Sequence, residues 1–102
     1  MQPYNLSADA ENDLLEIARY TLNTWGREAL ERYRIGLKNT FLSIAKNEIP
    51  KRTFSTAFPD LFVSKYKYHY IFYIVKNHTA PVIIGVIHEK RDIVNQLNKR
   101  LG

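Results

Sequence analysis

The spacing of apolar residues changes once along this chain, near residue 50, and that change limits what it can fold into. Before it, Leu14, Leu15, Ala18, Leu22 and Trp25 recur at helical intervals, and Leu30, Tyr33, Leu37, Phe41 and Ile44 form a second stripe. Such spacing lays apolar side chains along one face of a helix. After it come dense runs of β-branched and aromatic residues: Leu61-Phe62-Val63, Tyr66 to Val75, and Val82 to His88. These are strand sequences. A block of helices followed by a block of strands predicts helices layered on a sheet.

Local signals mark the boundaries. Tyr4-Asn5-Leu6 reads as a short strand and Ser7 as a helix N-cap, with Asp9, Glu11 and Asp13 at the positive end of the helix dipole. Gly26 suits a helix C-terminus, and the second stripe resumes from Glu28, so the link is short and the helices fold back on each other. Residues 50–60 read as a loop punctuated by Pro50 and Pro59, with Phe54 and Phe58 anchoring it to the core. Asn77 to Pro81 is a turn, and Ile93, Val94, Leu97 and Leu101 make a final amphipathic helix. The expected fold is α+β: an N-terminal strand, a two-helix antiparallel hairpin packed on one face of a small antiparallel β-sheet, and a short C-terminal helix. At 102 residues it forms one domain, 1–102, because halving it would leave neither part a sufficient core.

With no cysteine, disulfides, thiolate metal sites and a cysteine nucleophile are excluded. No apolar run approaches the ~18 residues of a membrane span. The first fifteen residues hold three acids and no apolar signal core, so a cytoplasmic location without membrane contact is expected.

The net charge of +5 is unevenly placed. Residues 1–60 carry eight basic and eight acidic side chains, whereas residues 61–102 carry seven basic ones against Glu89 and Asp92. Either the second half meets something anionic or it presents a solvated basic surface. Strict alternation puts Val82, Ile84 and Val86 on one face of the last strand, with Ile83 and Ile87 on the other. Both sheet faces are therefore apolar, and the hairpin covers only one. The other is left for a partner, unless the C-terminal segment folds back over it.

Chemistry-bearing patterns are sparse. His69, His78 and His88 lack metal-ligand spacing, the four glycines form no phosphate loop, and no metal or cofactor is expected. Metal-free ribonuclease chemistry needs a base, a proton donor and cations, which Lys65, Lys67, His69, His88, Lys90 and Arg91 supply. Tyr66 and Tyr68 interleaved with Lys65 and Lys67 look like a base-stacking platform, or like any strand with one buried and one wet face.

Tyr4-x-Leu6-Ser7 followed by Ala10, Asp13-Leu14 and Ile17 resembles the toxins of the RelE/ParE superfamily. So do Trp25-Gly26, Ala29 and Tyr33, then Tyr70-Ile71-Phe72-Tyr73, and above all the ParE-like Val86-Ile87-His88-x-x-Arg91-Asp92. The resemblance implies the toxic half of a type II toxin–antitoxin pair. It would inhibit DNA gyrase without being an enzyme and be neutralised by a cognate antitoxin, through which the complex binds operator DNA. The alternative it implies is a RelE-like, ribosome-dependent mRNA endoribonuclease. Departures from the ribonuclease pattern are Tyr70 where those relatives tend to carry arginine and no tyrosine near Gln96, although Lys90 fits their basic position. Lys51 stands where a glycine often follows the proline. Target contact is expected from His88, Lys90, Arg91, Asp92, Lys99 and Arg100, with a local Arg91–Asp92 pair as the structural alternative. Tyr66, Phe72 and Ile84 are expected at the antitoxin groove.

Overall fold

A computed structural model describes residues 3–102. Helix α1 spans Ala8–Trp25, and the Ser7 hydroxyl caps it by accepting from the Ala10 N–H at 3.1 Å. Gly26 alone links it to α2, Arg27–Ala45. Its φ of +91° is open to glycine and strained for other residues, and its N–H closes the α1 terminus on Leu22 and Thr21 carbonyls. The predicted hairpin is present, with a one-residue connection.

The sheet has five strands in the order β1-β5-β4-β3-β2. They are β1 (Asn5–Leu6), β2 (Arg52–Thr53), β3 (Leu61–Tyr66), β4 (His69–Ile74) and β5 (Val82–His88), and α3 (Ile93–Leu101) follows. Strands β2 to β5 are antiparallel as expected, but β1 runs parallel to β5, so the sheet is mixed. The expected 50–60 loop also contains β2, which pairs Arg52 with Val63 and Thr53 with Phe62. Two-residue strands carry neither a period nor a direction in their sequence.

Each sheet face has its own cover. Ile71, Tyr73, Ile83 and Val86 pack with Ala10, Leu37, Phe41 and Ile44 beneath the hairpin. On the opposite face, Leu61, Phe72, Ile84 and Ile87 pack with Leu97 of α3, flanked by Ile93, Leu101 and the loop anchor Phe58. The Phe54 ring stands edge-on to Phe72 at 5.1 Å. The C-terminal segment therefore folds back, and the second face is closed from within the chain.

Burial in β5 departs from strict alternation. Phe72 pairs with Gly85 but Tyr73 pairs with Ile83, leaving Ile84 as the extra residue of a β-bulge. The bulge slips the pattern by one position. Ile83 and Val86 face the hairpin, while Ile84 and Ile87 face α3, so Ile84 does not share a face with Val86.

Candidate target-binding cleft

A cleft of about 530 Å³ opens where the tip of the hairpin overhangs the end of the sheet. Tyr20 and Trp25 of α1, Arg32 and Tyr33 of α2, the β3–β4 turn, and the end of β5 line it. The turn is two residues, Lys67 and Tyr68, between the paired Tyr66 and His69. Lys67 sits at φ +50°, a left-handed conformation that costs a side-chain-bearing residue energy.

At the cleft floor, His69 and His88 are cross-strand partners with rings 5.2 Å apart and nearly perpendicular. The Tyr33 hydroxyl shares a hydrogen bond with His69 Nδ1. Burial, reinforced by the charge of His88, pulls the His69 pKa down to about 4. Burial, with Tyr66 next, pushes the Tyr33 phenol up to about 12. Both groups are neutral at physiological pH. The Lys90 backbone N–H donates to His88 Nδ1 at 3.1 Å, which leaves Nε2 as the ring nitrogen that donates. Tyr68 stacks against His88 at 6.4 Å and 19°.

An ion pair builds the inner wall. Strand β1 stops at Leu6, opposite Ile83, so the rest of β5 has no strand neighbour on that side. Asp13 Oδ2 accepts from the Val86 N–H at 2.9 Å, and Arg100 Nη1 donates to the Ile84 carbonyl at 3.1 Å. The two side chains also pair with each other at 2.7 and 2.9 Å, and they are only 14% and 12% exposed. Together they do the work of the missing strand and tie α1 and α3 to the bulge. Gly85 makes room for this, since a Cβ there would lie 2.7 Å from Arg100 Nη1.

The expected target-contact residues divide three ways. His88 and Arg91 line the cleft, while Lys90 and Lys99 lie on the exposed surface beside it. Arg100 is taken up by Asp13 and the Ile84 carbonyl, so its charge is neutralised within the fold. Asp92 caps α3 by accepting from the Asn95 N–H at 3.3 Å instead of pairing with Arg91. Lys65, a candidate for ribonuclease chemistry, pairs with Glu89 at 2.7 Å and does not line the cleft.

The expected antitoxin residues are not together. Phe72 and Ile84 lie beneath α3 at 0% and 7% exposure and offer no docking surface. Tyr66 packs on the hairpin side, where a Cβ on Gly36 would fall 1.8 Å from its hydroxyl oxygen. An apolar groove instead runs along the hairpin between Leu6, Leu14, Leu15, Leu30, Ile35 and Phe41, with a volume of about 770 Å³. Leu15 and Ile35 within it are 53% and 57% exposed.

Sequence reasoning missed Asp13, Trp25, Arg32 and Tyr33 at the cleft. Asp13 looked like a helix-dipole acid, and its partner Arg100 lies 87 positions away. Trp25 and Tyr33 looked like stripe residues, yet Trp25 is 69% exposed and Leu22 is also exposed. The one available signal was the large aromatic at the very end of a helix, beyond the reach of the core. Among the described residues, no group of three or more His, Cys, Asp or Glu comes together to hold a metal. Among the same residues, no helix is long and apolar enough to cross a membrane.

Comparison with known proteins agrees with this architecture. Residues 4–93 match the family model described as the ParE toxin of the type II toxin–antitoxin system parDE. Toxin ParE of Escherichia coli is 33% identical over 101 residues, which cover 99% of this chain and 98% of that relative. A solved chain of the chromosomal ParDE system from P. aeruginosa superposes with a TM-score of 0.67 at 13% identity, over 83% of this chain and 92% of that one. The order of elements, the near full-length relation and the family match together place the chain in the ParE toxin family of type II toxin–antitoxin systems.

Proposed function

We propose that this chain inhibits DNA gyrase in the cytoplasm and is silenced by a cognate antitoxin, through which the complex reaches operator DNA. The observation that carries the proposal is the near full-length relation to a ParE toxin at 33% identity. The basic surface of His88, Lys90, Arg91 and Lys99 meets the target, adding electrostatic steering toward an acidic protein surface or gyrase-bound DNA. Arg100 and Asp92 contribute indirectly, by holding α3 and the end of β5 in place. The antitoxin lies in the hairpin groove, where exposed Leu15 and Ile35 offer apolar contact flanked by Glu31, Arg34 and Lys38.

Inhibition by binding, without turnover, agrees with the state of the cleft. Acid–base catalysis at neutral pH works best with groups that titrate near 7. A histidine near 4 and a tyrosine near 12 are poorly matched to that task. The test is gyrase supercoiling and DNA cleavage with purified protein, with Arg91→Ala in parallel. Loss of supercoiling or accumulated linear DNA, weakened about tenfold or more in the variant, supports the reading. Normal gyrase activity at excess protein rejects it, and transcript cleavage on ribosomes would then establish the mRNA endoribonuclease.

A further inference from the structure

We propose that the cleft holds one unpaired nucleotide of a single nucleic-acid strand, bound and not cut, with its base on Trp25 and Tyr68 and its phosphate among Arg32, Lys67 and Arg91. Four independent observations converge on it. Trp25 and Tyr68 are 69% and 62% exposed, so two large aromatic faces stand in water at a concave site. Aromatic faces open to solvent beside cations are the elements of single-strand binding, because every base has a face to stack.

The charge of the cleft is also one-sided. Asp13 is neutralised by Arg100, so Arg32, Lys67 and Arg91 face Glu16 alone. Neither Arg32, Lys67 nor Arg91 makes an ion pair among the described residues. The His88 Nε2 N–H adds a further donor to the same cleft.

The third observation is backbone strain. Glycine would hold the tight β3–β4 turn more cheaply, yet the position is lysine at φ +50°. The strained conformation sets a cation and Tyr68 at the cleft mouth. The fourth is size: about 530 Å³ lies within the usual range for sites that take a small ligand, whereas a duplex is far too wide. A base paired and stacked inside a duplex has no free face to offer these rings. Cleavage is absent from the proposal because the acid–base groups of the cleft are already engaged: the Tyr33 hydroxyl and His69 Nδ1 bond to each other, and His88 Nδ1 accepts from the Lys90 N–H.

The inference rests on the gyrase reading only for the origin of the strand, which in that setting is DNA opened at the cleaved gate. Strand binding itself is testable without gyrase. Trp25 is the single tryptophan of the chain, so its fluorescence reports the cleft directly. The purified protein is titrated with oligo-dT, with oligo-rU of equal length, and with duplex DNA. Saturable quenching by either single strand, much weaker with duplex, is expected, and the better single strand identifies the source. Tyr68→Ala, which removes a stacking face, and Arg91→Ala, which removes a phosphate contact, each weaken binding by about tenfold or more. Lys67→Gly keeps the cleft folded while weakening binding and flattening its salt dependence, an outcome that a purely structural role for Lys67 would not give.

No quenching by either strand, equal response to duplex, or unchanged affinity in Tyr68→Ala and Arg91→Ala overturns the inference. Degradation of the oligo-rU overturns the claim that the strand is not cut. The supercoiling assay on the same samples separates the two proposals. Gyrase inhibition without strand binding rejects this one alone, and strand binding without inhibition rejects the other alone.

Discussion

Asp13 and Arg100 illustrate how much one side-chain pair can carry. Replacing a buried ion pair with apolar residues is often neutral, because the desolvation cost of both charges disappears with them. Here the pair also satisfies the Val86 N–H and the Ile84 carbonyl, so an apolar replacement would orphan two backbone groups. Asp13→Ala, which leaves the guanidinium uncompensated, is expected to cost roughly 3 kcal/mol in urea unfolding, and Asp13→Leu with Arg100→Met should not recover it. His69 makes a second prediction at this scale. Its pKa is about 4 in the folded chain against 6.5 for the free side chain, so the unfolded state takes up the proton first. Stability is therefore intact above pH 6.5 and falls as the pH drops toward 4, by roughly 1–2 kcal/mol once partial solvent screening is allowed for. Unfolding curves across that window should lose this slope in His69→Gln.

The two left-handed positions of Gly26 and Lys67 allow opposite predictions for single elements. At Gly26 an added Cβ meets nothing within 4 Å, so Gly26→Ala tests the backbone alone. With φ +91° and ψ 178° the position occupies a region nearly confined to glycine, so the change should cost about 1–3 kcal/mol, a fall of about 4 °C or more in Tm for a domain of this size. Lys67→Gly should hold stability or gain up to about 1 kcal/mol, by relieving the cost of a side chain at positive φ. The helical hairpin was legible because its two stripes are long and Ser7 and Gly26 close both ends of α1. The directions of β1 and β2 were not, since two residues define no pattern. The faces of β5 were misassigned beyond Ile84, at Val86 and Ile87, because a bulge inserts one residue without marking the sequence. For the cleft, His88 and Arg91 were visible as a local motif, whereas Asp13 and Arg32 join it only through tertiary approach.

At the scale of the molecule, the hairpin is a layer with a function proposed for each side. Tyr33 and Ile17 line both the apolar groove and the cleft, so one pair of helices separates the proposed antitoxin surface from the proposed target surface. Charged substitutions in the groove should therefore uncouple the two. Leu15→Glu with Ile35→Glu is expected to abolish antitoxin binding in pull-down experiments while leaving growth inhibition intact. Both side chains already lie more than half in solvent, so folding should tolerate the change.

The one-residue link at Gly26 has a mechanical consequence for this layer. With so short a joint the two helices are held together at their tip, which keeps Trp25 and the start of α2 side by side. Farther along α2, the absence of a side chain at Gly36 is what admits the end of the Tyr66 ring, because a Cβ there would overlap its hydroxyl. Tyr33, three residues earlier on the same helix, shares its hydroxyl with His69, so the same stretch of α2 that seats Tyr66 also joins the hairpin to the imidazole pair.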